Sequence, residues 1–344
     1  MCHSIFVMKK NILFLLIILF SCDPDTYNNK DENIFNEWVF VACEGNFGAS
    51  NGSISMINNF GEIKEVTEIG DVVQSLEVYN NKLFVIVNNS HKIIAYDITA
   101  EGLRMPGITI NTDNSSPREM KIVNDKLYFT NWNSSDIKIL NLKTYIIEDS
   151  IKMPGKPESI EFDGTNLWTG IQLNEDYTDG NKLIKVNVSN NSIDGTYEIG
   201  KGPTSITIKD NNVFIANTYY DSEYNAFYGT TKFSSVDDKV DIEYYGSGVV
   251  CGGDVMTYNQ EIYRSYEGGA AKIGNDLKIL EQTKIGSFTP SQLYSSKINN
   301  DYIYFGITDF KDLNQVKVFD FNNNEIASYN VGIIPGDFAF WKSY

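Results

Sequence analysis

The sequence predicts an all-β, seven-bladed propeller closed by its own last strand, and three observations predict it. A short polar turn followed by an apolar residue and an aromatic recurs seven times, reaching Phe40, Phe84, Tyr128, Trp168, Phe214, Tyr263 and Tyr304. The intervals are 44, 44, 40, 46, 49 and 41 residues, each the length of one four-stranded blade. The first repeat lacks the upstream strand that the others carry, and an orphan copy of that strand ends the chain over residues 332–341. Pairing the orphan with the first repeat would close the ring and leave no terminal sheet edge open.

Residues 1–21 read as a targeting segment. Lys9 and Lys10 precede an apolar run over 12–20, and Met8 is the expected start. The run is far shorter than the roughly 20 residues of a spanning helix, so it is a signal h-region. Leu19, Phe20, Ser21 and Cys22 resemble a bacterial lipobox, which implies lipidation of Cys22 and a membrane contact through that lipid alone. A small residue before the cleavage site also fits a plain secretory signal, in which Cys22 would be incidental. Residues 22–36 are polar, acidic and aperiodic, as a flexible tether would be.

Residues 37–344 are the expected propeller. Each repeat opens with a Gly or Pro turn and a short strand, as in the segments beginning at Gly70, Ser115, Gly155, Gly200, Gly252 and Phe288. The aromatic-bearing second strand follows, and then a third such as KIIAYDI or DIKILNL, apolar at every second position. Tyr, Phe, Thr, Ile and Val with recurrent Asn and Gly favour strands and tight turns over helices.

The formal net charge is −17, and loss of residues 1–21, which hold two lysines and no acids, takes it to −19. That excludes nucleic acid and anionic lipid headgroups as expected partners, since both need clustered Lys and Arg. Beyond Cys2 and Cys22, the cysteines are Cys43 and Cys251, which either pair or are buried thiols.

The chemistry of known catalytic motifs is thin. His91 is the one histidine outside the targeting segment, too few for a two-histidine metal site or lyase pair, and its turn setting suggests solvation. No Gly-x-Ser-x-Gly elbow, phosphate loop or Cys-x-x-Cys pair occurs. Catalysis would have to rest on carboxylates. Asp71, Glu119, Glu158, Asp254 and Asp337 fall at blade entrances, where a ring of acids could hold Ca²⁺ or flank a glycosidic bond, or could simply solvate the surface. The 174–181 segment looks like a calcium loop but puts Tyr177 where a ligand is required. No metal site and no cofactor is expected.

The turns joining second and third strands say more. They share one face, and that face would display Asn46, Phe47, Asn88, Asn131, Trp132, Asn133, Tyr177, Asn217, Tyr219, Tyr220, Tyr224, Phe227, Tyr228, Tyr266 and Phe310. Flat rings interleaved with side-chain amides suit a large planar or polyhydroxylated ligand. The bland alternative is that some rings only pack the long 217–230 loop.

Residues 127–140, LYFTNWNSSDIKIL, resemble the YVTN propeller repeat. Cys43-Glu44-Gly45-Asn46-Phe47-Gly48 with Asn51-Gly52-Ser53-Ile54 resembles the opening of YncE-like propeller lipoproteins of Bacteroidetes, a likeness covering about residues 36–341. The resemblance implies a lipoprotein at the outer membrane or cell surface. It also implies, for some members, capture of cobalamin or another corrinoid beside a TonB-dependent transporter. On that reading the asparagines meet the corrinoid's peripheral amides, and Trp132 with the 219–228 tyrosines covers its apolar edges. Two other classes stay open: a carboxylate or Ca²⁺-dependent enzyme acting on lactones or glycans, and a glycan- or protein-binding scaffold. The sequence favours binding over catalysis.

Overall fold

The computed structural model describes residues 37–248 and 253–343. The targeting segment, the tether, Cys22 and Cys251 lie outside the described residues. The described chain forms seven antiparallel sheets. In spatial order the first blade is Pro335–Lys342, Glu37–Cys43, Gly52–Asn58 and Ile63–Gly70. The second is Val73–Tyr79, Lys82–Val87, Lys92–Thr99 and Gly102–Asn111; the third is Pro117–Val123, Lys126–Asn131, Asp136–Asn141 and Ile146–Lys152. The fourth is Lys156–Phe162, Asn166–Leu173, Asp179–Asn187 and Ser192–Glu198; the fifth is Pro203–Lys209, Asn212–Tyr220, Ala226–Ser234 and Val240–Ser247. Val255–Tyr258, Glu261–Tyr266 and Gly269–Lys272 make the sixth, and Leu293–Asn299, Tyr302–Thr308, Asn314–Asp320 and Glu325–Asn330 the seventh.

The first strand of each blade packs on the first strand of the next, all the way round. The chain is therefore a seven-bladed β-propeller, and the last strand closes it. Pro335–Lys342 pairs with Glu37–Cys43 in the register Trp38 to Trp341, Phe40 to Ala339 and Val41 to Phe338. In the sixth blade the place of the fourth strand is held by an irregular segment that touches the sheet at two single bridges, Ala270 with Ile285 and Ile273 with Ile279.

Burial explains the sequence pattern. Second and third strands are covered on both faces by neighbouring blades, so runs such as Leu83, Phe84, Val85, Ile86 and Val87 are fully buried. Fourth strands are solvent-facing, as in Ile63–Gly70 and Ile146–Lys152. Of the seven repeating aromatics six are buried, while Tyr304 is only partly covered and packs on Phe338 and Phe340. The apolar core is not central. It is divided into seven clusters, one in each gap between consecutive blades, with Trp38, Leu76, Val85 and Trp341 in the gap between the first and second.

Candidate functional site

The first strands turn polar residues to the axis, because alternate side chains of each strand face the axial bore and the apolar gap. Gln74, Glu119, Ser205, Asp254, Ser295 and Gly336 border this channel, whose volume is about 420 Å³. Its mouth opens on the face that carries the turns between second and third strands, called here the loop face.

Arg118 organises the mouth. Its Nε and Nη2 donate to Glu158 at 2.9 and 2.6 Å, its Nη1 donates to Gln74 Oε1 at 2.9 Å, and its guanidinium carbon lies 4.4 Å from the Trp132 ring centre. A bidentate pair of this kind holds geometry as well as charge. Tyr294 donates its hydroxyl to Glu44 Oε1 at 2.8 Å. Burial, against the pull of Tyr294 and Arg118, pushes the Glu44 carboxyl up to about 7. Burial likewise raises Glu119, with Asp337 and Glu158 adding to it. Gly45 makes the turn that places Glu44 beside Phe47: at φ +77° a Cβ would stand 2.5 Å from Asn51 Oδ1.

Beside the mouth a groove of about 470 Å³ runs over the first three blades, with Phe47, Asn88, Trp132 and Asn133 among its walls. Trp132 is half-buried and its indole N–H has no acceptor. Lys156 lies 4.3 Å from the ring of Tyr177 and donates to the Trp132 carbonyl at 3.3 Å. Tyr220 borders the mouth itself, together with Asp179 and Tyr294. Phe310 meets Tyr294 edge-on at 5.7 Å.

The remaining sequence-predicted residues divide in two. Asn46, Phe47, Asn133, Tyr177, Tyr220, Tyr224 and Phe310 are exposed on the loop face. Asn131, the last residue of its strand, and Asn217, three residues before the end of its own, are expected to present amides to a ligand and are instead fully buried. Asn131 accepts from the Ser115 hydroxyl and donates to the Phe129 carbonyl, and Asn217 accepts from Thr231 and donates to the Lys201 carbonyl. Asn88 is also spent, donating to the Pro117 carbonyl at 2.8 Å. The expected 217–230 loop is for the most part a hairpin, paired as far as Tyr220 with Ala226, on which Tyr219 stacks against Phe227 at 5.6 Å. Tyr228 is buried, and Tyr266 donates to Glu281 at 3.0 Å.

Of the acids expected to ring the axis, Glu119, Asp254 and Asp337 line the channel and Glu158 its mouth, each held by other partners. Among the described residues no three of His, Cys, Asp and Glu stand close enough to hold a metal ion. Asp71 accepts from the Gly48 amide and Asn89, Asp254 from the Ser296 amide at 2.7 Å, and Asp337 pairs with Lys297 at 2.8 Å. His91, expected to be solvated, is partly buried and accepts the Ser116 amide on Nδ1 at 3.1 Å. Sequence reasoning missed Arg118, Glu44 and Tyr294. Arg118 shares its strand with Glu119 and Lys121, so nothing in the sequence singled it out.

One backbone feature marks two of the exposed rings. A five-residue turn closed by an Asn or Asp recurs five times among the described residues; in 309–313 its second residue, Phe310, takes a left-handed φ, and in the other four its fourth residue does. On the far face that residue is Gly61 or Asn323, at +78° and +65°. On the loop face it is Tyr177 or Tyr224, at +64° and +62°. Tyrosine is disfavoured there. Yet Tyr224 is 86% exposed, and Tyr177, 64% exposed, has the Lys156 ammonium over its ring, so little apolar packing offsets the strain.

No protein-family model matches the chain, and no curated protein is significantly similar to it. Solved structures do resemble it in three dimensions. A candidate 6-phosphogluconolactonase from Bacteroides fragilis is similar with a TM-score of 0.64 at 14% identity, covering 89% of this chain and 98% of that one. A hydrazine synthase chain from Kuenenia stuttgartiensis gives 0.62 at 11%, covering 77% and 88%. Apo AztD from Citrobacter koseri gives 0.57 at 10%, covering 90% and 99%. At such identities the likeness establishes the propeller fold and no chemistry.

Proposed function

We propose that this chain is a binding propeller whose loop face captures a bulky ligand rich in flat or amide-bearing surface. The observation that carries the reading is the placement of Tyr177 and Tyr224, exposed and strained, where the same turn on the opposite face uses Gly61 and Asn323. Backbone strain kept without a packing return points to a use outside the fold. The groove over the first three blades adds the Phe47 ring and the half-buried Trp132 ring, apolar surface on which a flat ligand can lie. In keeping with its resemblance to YncE-like propeller lipoproteins, the protein is a Cys22-anchored lipoprotein at the cell surface. It passes a corrinoid or a nutrient of like size to a TonB-dependent transporter. Calorimetric titration of the chain with cyanocobalamin, repeated on Trp132→Ala and Tyr224→Gly, tests this. Both substitutions should weaken binding, and Tyr224→Gly should raise the melting temperature while doing so. No heat with the unaltered chain would remove the corrinoid, and equal affinity in all three would remove the loop face.

A second reading is favoured by Glu44, whose carboxyl is poised at about 7 at the mouth of the channel, as a general acid or base requires. It predicts hydrolysis of a sugar lactone that is lost in Glu44→Gln, whereas a pure binding protein turns over nothing.

A further inference from the structure

The residue that follows the repeating aromatic in each second strand is Val41, Val85, Phe129, Thr169, Ile215, Arg264 or Phe305, and every one of them is fully buried. Six are apolar or small. Arg264 puts a charge where the other blades put core. At 1% exposure it makes no ion pair among the described residues. Its Nη1 donates to the carbonyls of Asp254 and Ser265, both at 3.2 Å, and its Nε donates to nothing. Carbonyl dipoles satisfy hydrogen bonds without a contact countercharge, and the attraction of the Asp254 carboxylate reaches Arg264 from beyond ion-pair distance. The nearby Asp254 carboxylate is already held by the amide and hydroxyl of Ser296.

A small cavity of about 30 Å³ lies between the fifth and sixth blades, next to the axial mouth with which it shares Thr218 and Gly253, with Arg264 on its wall. Thr218 borders the same cavity, and its Oγ1 is likewise buried without a partner. Gly248, Gly253 and Gly268 border it too, so no side chain from those positions fills it. We infer that this cavity is a binding site for a small monoanion, either a halide or the carboxylate group of a larger molecule, held by Arg264 and Thr218. The anion supplies the contact countercharge that Arg264 lacks and the acceptor that both orphan donors lack. Glu267, exposed at the rim, is the one carboxylate of the wall and competes with it.

The test has two arms on the full chain. Crystals soaked in sodium bromide should show an anomalous peak within hydrogen-bond reach of Arg264 Nε. Thermal unfolding in bromide or acetate, at ionic strength fixed with a sulfonate too large for the cavity, should show a melting point that climbs roughly 2 °C per tenfold rise in anion. The slope should vanish in Arg264→Gln, shrink in Thr218→Val and steepen in Glu267→Gln. Thr218→Val keeps the test decisive should Arg264→Gln fail to fold. Stabilisation by bromide alone assigns the site to a free halide; stabilisation by acetate as well assigns it to a carboxylate. No peak, with the same slope in the unaltered chain and Thr218→Val, overturns the inference.

Discussion

Trp38 stands opposite Trp341 in the antiparallel pair that joins the first strand of the propeller to the last. Each indole also donates outside its own sheet, Trp38 to the Thr99 carbonyl and Trp341 to Asn81 Oδ1, both at 3.0 Å and both in the second blade. The closure of the ring and its docking on the next blade therefore depend on the same two side chains.

Replacing Trp341 by Ala removes a large buried ring and strands the Asn81 acceptor. Chemical denaturation should show a loss of about 3–5 kcal/mol. A loss below about 1 kcal/mol would mean that the closing pair contributes little to stability.

Stability should fall as pH rises from about 4.5 to 7. Across that window the folded chain keeps a proton on Glu44 that the unfolded chain has released, because burial raises the folded-state value. Burial raises Glu77, Glu119 and Asp254 in the same direction. Asp221, lowered by Asn225, acts only at more acid pH. Glu44→Gln should flatten the decline by roughly 2–3 kcal/mol at most between those limits, read from denaturation midpoints at a series of pH values. An unchanged slope would place the protonated group elsewhere.

Asn131 and Trp132 are neighbours with opposite expected phenotypes. Asn131→Ala leaves Ser115 and two backbone carbonyls short of a partner and should cost about 1–3 kcal/mol of stability with ligand affinity intact. Trp132→Ala should do the reverse, and one calorimeter measures both.

Cys43 is fully buried and its thiol is pushed up to about 11, chiefly by burial. At pH 8 the peptide carrying it should resist alkylation in the native protein and react within minutes once the chain is unfolded, followed by mass spectrometry. Ready labelling of the native chain would show that the first blade opens locally.

How much of this was legible follows from where the information lies. Closure was readable because one strand motif is missing at Trp38 and a spare copy occurs at residues 332–341. The exposed rings of Phe47, Tyr177, Tyr224 and Phe310 were readable because tight polar turns surround them. The mouth was not, since Glu44 meets Tyr294 across 250 residues and Arg118 meets Gln74 across 44. Asn131 and Asn217 misled for a local reason. Each lies at the loop-face end of the buried part of a second strand, where an amide that secures the backbone looks the same in sequence as one that presents itself to a ligand. Tyr219 and Phe227 misled because polar neighbours hid a hairpin that continues the sheet.

Because the apolar core is divided among seven gaps around a polar axis, no position on the ring is its structural beginning. Covalent ends placed in any far-face turn, with the present ends bridged by a short linker, would leave all seven clusters intact. Circular permutants should therefore reach the same native state. The present seam in the first blade would then be one solution among seven.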